Sequence, residues 1–146
     1  MRSLVLASLA AAALAAGCGA HKPAAQPASP ESVARAWSKA INAGDNEAAA
    51  RLFAPGAVVV QGPEIVLRTH ADAVAWNAGL PCAGRITAVM VDGERATVTF
   101  VLGRRPGQVC GGPGQKAAAV FTVRHGKIVL WHQIPPPGGP QTGPAI

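Results

Sequence analysis

The feature that most constrains the fold is a change of apolar period at Pro81. Before it, apolar residues recur at helical spacing, and after it they alternate. Val33, Trp37, Ala40 and Ile41 fall on one face of a helix that Ser29 caps, Pro30 opens and Asn42, Ala43 and Gly44 end. Asp45 caps a second, shorter helix with the face Ala48, Ala49, Leu52 and Phe53, stopped by Pro55 and Gly56. A short strand is expected over 57–61. Thr69 and Asp72 then have capping-box spacing and introduce a third helix carrying Val74, Ala75 and Ala78. Beyond Pro81, segments 85–91 and 95–102 join at Asp92 and Gly93 as a hairpin, and 116–124 and 127–134 turn at His125 and Gly126. Between the hairpins lies a glycine-rich loop, 103–115, that contains Cys110. Helices first and antiparallel strands after imply one α+β domain, 30–134.

Outside that span the chain reads differently. Arg2, an apolar stretch from Leu4 to Ala16, then Gly17 and Cys18 resemble a bacterial lipoprotein signal peptide, 1–17. The apolar stretch is shorter than the roughly 20 residues a membrane-crossing helix needs. Leu14, Ala15, Ala16, Gly17 and Cys18 resemble a lipobox, except that the leucine sits one place earlier than usual. The resemblance implies cleavage before Cys18, acylation of its thiol, and an exported protein anchored through membrane lipid on the extracytoplasmic face. An ordinary secretory signal would instead leave Cys18 as an odd thiol. With Cys18 acylated, Cys82 and Cys110 remain as an even pair in a compartment that permits a disulfide. Residues 18–29 read as a tether. The tail 135–146, with five prolines and three glycines, suits neither a helix nor a central strand and is expected to be disordered.

Composition excludes several function classes. Lys and Arg outnumber Asp and Glu thirteen to seven, but only Arg104 and Arg105 are adjacent, and with no Tyr and three Phe the chain has no obvious base-stacking platform. Nucleic acid is therefore not the expected partner. The surplus charge fits attraction to anionic lipid headgroups. Neither Cys82 nor Cys110 belongs to a closely spaced cysteine pair, and His21, His70, His125 and His132 show no ligand spacing, so no metal is expected. No cofactor is expected either.

Three phrases carry a family resemblance: 37–45 (WSKAINAGD), 52–60 (LFAPGAVVV) and 121–131 (FTVRHGKIVLW). They resemble the first helix junction, the helix-to-strand transition and the last hairpin of the nuclear transport factor 2-like (NTF2-like, SnoaL-like) superfamily. The resemblance implies a curved sheet wrapped around helices into a cone with a pocket at its open end. It leaves function open, because the superfamily includes isomerases, cyclases, hydrolases and non-catalytic members. Members resembling ketosteroid isomerase use a carboxylate base and an oxyanion donor, typically Tyr with a protonated acid. This chain has no Tyr, and its seven acids (Glu31, Asp45, Glu47, Glu64, Asp72, Asp92, Glu94) fall at helix starts, turns or loops. No acid lies within an expected strand to supply the Asp, Arg, Asp set of the epoxide hydrolases.

The expected function is accordingly a non-catalytic small-ligand-binding or protein-interaction module at the cell envelope. The alternative is a ketosteroid isomerase or polyketide cyclase-like enzyme with His132 as general base. Strict alternation in 128–134 places Ile128, Leu130, His132 and Ile134 inward and Val129, Trp131 and Gln133 outward. On that parity Trp37, Phe53, Trp76, Phe100 and His132 line a pocket for a small apolar ligand. Val129 and Trp131 then face a second copy or an envelope protein across the outer sheet face. A filled cone, or the opposite parity with Trp131 inward in place of His132, removes the pocket reading.

Overall fold

A computed structural model describes residues 26–138. The expected signal peptide, Cys18, most of the tether and most of the tail lie outside the described residues. Three helices, α1 (Pro30–Ala43), α2 (Asn46–Ala50) and α3 (His70–Ala78), combine with β1 (Phe53–Val60), β2 (Glu64–Leu67), β3 (Ala83–Asp92), β4 (Arg95–Gly103), β5 (Lys116–Arg124) and β6 (Lys127–Ile134). One six-stranded sheet has the order β2-β1-β6-β5-β4-β3, antiparallel except where β1 meets β6. This curled sheet around helices is the NTF2-like α+β cone.

Local sequence explains each helix boundary. Ser29 Oγ accepts from the Ser32 N–H at 3.1 Å, and Gly44 closes α1 at φ 73° with its N–H on the carbonyls of Ala40 and Ile41. Asp45 accepts from the Ala48 N–H at 2.8 Å. Thr69 and Asp72 form the full capping box, each side chain accepting from the other's backbone N–H at 3.1 and 2.9 Å. Backbone hydrogen bonding to Thr69 is the main influence holding the Asp72 carboxyl below its ordinary pKa. At the β5–β6 turn His125 and Gly126 have φ of 49° and 73°, the paired left-handed residues of a two-residue hairpin turn.

Two boundaries differ from the sequence reading. Helix α2 ends at Ala50, so Phe53 is the first residue of β1 and pairs with Ile128 of β6. A strand β2 not expected from the sequence pairs with β1 and contains Glu64, and Asp92 ends β3, so two acids do lie within strands. Five residues of α2 give too few turns to hold an apolar face alone, and the tertiary pairing of β1 with β6 takes over the residues that follow.

The core lies between α1 and the inner sheet face. Val33, Ala34, Ile41, Ala49, Val59, Val98, Phe121 and Ile128 are buried there. Trp37 sits at its centre, with ring centroids 5.3 Å from Phe121, 5.9 Å from Trp131 and 6.5 Å from Trp76. Offset and edge-on contacts of this kind add to the area each ring buries.

Candidate functional site

Strand β6 decides what faces the interior. Its register against β5 steps from Thr122↔Leu130 to Val123↔Ile128, so β5 advances one residue while β6 advances two. Val129 is the extra residue of a β-bulge. A bulge reverses parity beyond it, and Ile128 and Trp131 therefore both point inward although they are three apart. They are 0% and 5% exposed. The expectation that His132 lines the cone and Trp131 faces outward is thus corrected. His132 is exposed on the outer face, in one cross-strand row with Val60, Val120, Thr97 and Met90. Val129, at the bulge, is half-buried. The pair Val129 and Trp131 does not form an outer interface, and His132 has no place in the cone from which to act as general base.

Trp76 is corrected as well. Instead of lining the pocket, it is half-buried against the core, 5.0 Å from Trp131 and 5.6 Å from Phe53 between ring centroids. The five rings of Trp37, Phe53, Trp76, Phe121 and Trp131 fill the closed end of the cone. Nε1 of Trp131 finds no acceptor among the described residues, and the groups packed around it are aromatic.

Against the expectation that an inward Trp131 removes the pocket, a cavity of about 260 Å³ remains toward the open end with Trp131 in its wall. Of the expected wall residues, Trp37 and Phe100 line it, whereas Phe53, Trp76 and His132 do not. Trp131, Leu80, Ile41 and the alanines 117, 118 and 119 complete an apolar wall, and Gln61 and Gln133 stand exposed at the rim. The lining among the described residues contains no Asp, Glu, His, Lys or Arg. Such a wall can desolvate an apolar body and hydrogen-bond through amides. It offers no proton donor or acceptor of the kind general acid–base chemistry uses.

One side of the cavity is clamped. Gly84 gives its carbonyl to Ser38 Oγ at 3.0 Å and to Asn42 Nδ2 at 3.1 Å, and its N–H donates to Asn42 Oδ1 at 2.9 Å. A Cβ here would lie 3.1–3.3 Å from Phe100, so the close approach of β3 to Phe100 favours glycine. Next to it, Cys82 and Cys110 form the expected disulfide, with Cα atoms 4.7 Å apart. The bond fastens the 103–115 loop beside the cavity.

A buried polar cluster holds the same loop from below. Arg105, 4% exposed, donates through Nη1 to the carbonyls of Asn77 at 2.7 Å and Leu80 at 2.6 Å, and through Nη2 to Asn46 Oδ1. Burial lowers its pKa, and the carbonyl end of α3 supplies the compensating negative potential in place of a carboxylate. Asn77, fully buried, accepts from Trp37 Nε1 at 2.8 Å and donates to the Ala73 carbonyl at 2.8 Å. Sequence reasoning missed both residues, because an Asn on a helix and an Arg in a glycine-rich loop read as solvated. The available signal was Trp37 itself, whose indole N–H needs a partner once buried.

Five of the seven acids have structural partners or caps, and Glu64 and Asp92 have neither among the described residues. Glu31 pairs with Arg35, Glu47 with His70 and Glu94 with Arg124, while Asp45 and Asp72 cap helices.

With this geometry the chain can be compared with known proteins. The family model of the SnoaL-like domain matches residues 34–131. The chain belongs to the SnoaL-like family. No curated protein matches it. Among solved structures, the SnoaL-like domain is similar to a Sinorhizobium meliloti protein labelled provisionally as a polyketide cyclase, at 20% identity and TM-score 0.59, covering 70% of this chain and 93% of that one. An NTF2-like protein of Cytophaga hutchinsonii is similar at 9% identity and TM-score 0.60, covering 73% and 88%. A Catenulispora acidiphila protein with a ketosteroid isomerase-like fold, solved with trimethylamine, is similar at 21% identity and TM-score 0.58, covering 73% and 86%. At these identities the likeness concerns the fold. The SnoaL-like domain here differs from the sequence expectation in its cavity, whose wall is aromatic and amide rather than imidazole.

Proposed function

We propose that this SnoaL-like protein is an exported, lipid-anchored binding module that holds a small, uncharged, largely apolar molecule in its cone. The observation that carries the reading is the cavity of about 260 Å³ walled by Trp37, Phe100 and Trp131, without an ionisable side chain among its described lining residues. A charged ligand would lose its hydration there with nothing to compensate it, whereas an apolar body gains about 25 cal/mol per Å² buried. Gln61 and Gln133 at the rim can hydrogen-bond one polar end of such a ligand. At about 260 Å³ the space lies just below the usual range for drug-sized ligands, which favours a compact molecule.

Residues 1–18 support the anchored, exported part of the reading, and so does the Cys82–Cys110 bond, which persists in oxidising compartments. Intact-mass measurement of the mature protein tests the anchor. For the cavity, an uncharged environment-sensitive dye is titrated into the wild type and into Ala117→Phe, which fills the wall. The expected result is saturable binding lost in the folded variant. Equal binding by both proteins would overturn the cavity assignment.

A further inference from the structure

We infer that the end of the domain opposite the cavity mouth is a docking surface for an anionic lipid bilayer. The inference rests on the lipid-anchor reading and adds an orientation to it. The strands run between two ends. Ala83, Gly103, Lys116 and Ile134 mark the mouth, and the β3–β4 and β5–β6 turns mark the other end. The two turns are joined. The Val123 N–H donates to the Glu94 carbonyl at 2.8 Å, and Arg124 Nε lies 2.9 Å from Glu94 Oε2.

The tether arrives at this end. Ala28 packs on the β5–β6 turn so closely that a Cβ on Gly126 would lie 3.7 Å from the Ala28 nitrogen. Ten residues separate Cys18 from Ala28, a span of at most about 35 Å. An acylated Cys18 therefore keeps this end of the domain within reach of the headgroups.

The surface there has the chemistry a bilayer interface takes. Met90 and Val91, 68% and 51% exposed, are large apolar side chains two and one residues from the end of β3. Met90 and Val91 alternate to the two faces of β3, Arg95 stands across the turn from them opposite Asp92, and Lys127 and Arg51 lie at the same end on β6 and beside β1; all three cations are exposed and without an ion pair among the described residues. Lys127 Nζ donates to the Arg51 carbonyl at 2.6 Å, and the two residues share a groove of about 310 Å³ with His70. Of the acids at this end, Glu94 and Glu31 already pair with Arg124 and Arg35, Glu47 is hydrogen-bonded to His70, and Asp92 and the α3 cap Asp72 have no cation partner among the described residues. Exposed apolar side chains flanked by cations bind at the boundary of headgroups and acyl chains. Each Lys or Arg near an anionic surface strengthens binding about fivefold, and tethering makes even a weak attraction effective.

The orientation has a consequence for the cavity. The eight residues of β6 lift the mouth about 25 Å from the docked end, so the cavity opens to the aqueous compartment and its ligand arrives from there.

The test is hydrogen exchange on the acylated mature protein in vesicles of phosphatidylcholine alone and of phosphatidylcholine with phosphatidylglycerol. On the anionic vesicles, amides in 90–95 and 124–128 should exchange several-fold more slowly, with 61–63 and 133–136 unchanged. The double variant Arg95→Glu, Lys127→Glu should remove the difference. Equal exchange on both vesicles, protection centred on the mouth, or protection that survives charge reversal would overturn the docking surface. Intact mass separates the two ideas: a chain without acyl mass sinks the anchor reading, and an acylated chain with unprotected turns sinks the docking surface alone.

Discussion

Removing the bond between Cys82 and Cys110 should destabilise the domain by about 3.5 kcal/mol, the chain-entropy cost of freeing a loop closed across a separation of 28 residues. The native loop has other attachments that persist without the bond. Arg105 still reaches the carbonyls of Asn77 and Leu80, Gln108 Nε2 still donates to the Ala78 carbonyl at 3.0 Å, and the Gly114 N–H to the Leu102 carbonyl at 2.8 Å. The folded state therefore changes little, and the loss falls on the unfolded ensemble, which gains freedom. For a domain of this size the melting temperature should drop by about 15 °C. Calorimetry of the oxidised protein, the reduced protein and the Cys82→Ser, Cys110→Ser variant measures this. Because Cys82 lines the cavity, dye affinity read on the same samples reports whether the wall loosens before the domain melts. A drop below about 4 °C, equivalent to less than about 1 kcal/mol, would show that the unfolded chain keeps these two segments close without the bond and that the entropy argument is misplaced.

Asn77→Ala strands the Trp37 indole N–H in the core and should cost about 2–3 kcal/mol in chemical denaturation, and a cost under about 1 kcal/mol would mean Trp37 finds another acceptor. Gly84→Ala brings a methyl to 3.1 Å from Phe100 Cδ1 and should cost about 1–2 kcal/mol while weakening dye binding, since Phe100 can yield only by moving along the cavity wall. Asp72, whose carboxyl sits below its ordinary pKa in the folded state, stabilises the domain fully above the unfolded carboxylate pKa and less as pH falls through the folded one. Asp72→Asn should flatten that acid limb of a melting-temperature profile, and an unchanged limb would show that the capping box carries no part of it.

The helix starts and hairpins were legible in the sequence because each rests on local chemistry. Ser29, Asp45 and Thr69 cap where they stand and His125-Gly126 turns where it stands, whereas the first hairpin turns one residue later than expected, at Gly93-Glu94, with Asp92 the last residue of β3 opposite Arg95. The disulfide followed from counting cysteines. What stayed hidden depends on partners distant in sequence. Phe53 joins a strand because Ile128 is there to pair with it, and Glu64 lies in β2 because β1 has a free edge. Asn77 and Arg105 are buried because each satisfies groups 40 and 28 residues away, a relation no local pattern records.

The candidate site turned on a single residue. Segments 127–134 read equally well as two alternations, since Ile128, Leu130, His132 and Ile134 make an apolar set broken only by the imidazole. Strict period two rests on one residue facing one residue across the ladder, and Val129 breaks it. Ile128 is required inward by its pairing with Phe53, and Trp131 by its contacts with Trp37 and Trp76. Only an odd spacing resolved by a bulge satisfies both. The physical cost is an unpaired residue in the ladder, and the return is a tryptophan in place of a histidine on the cavity wall. Deleting Val129 should therefore force a choice between burying Trp131 and burying Ile128, and either outcome loses a large buried side chain, about 2–5 kcal/mol on the scale of truncating one to alanine.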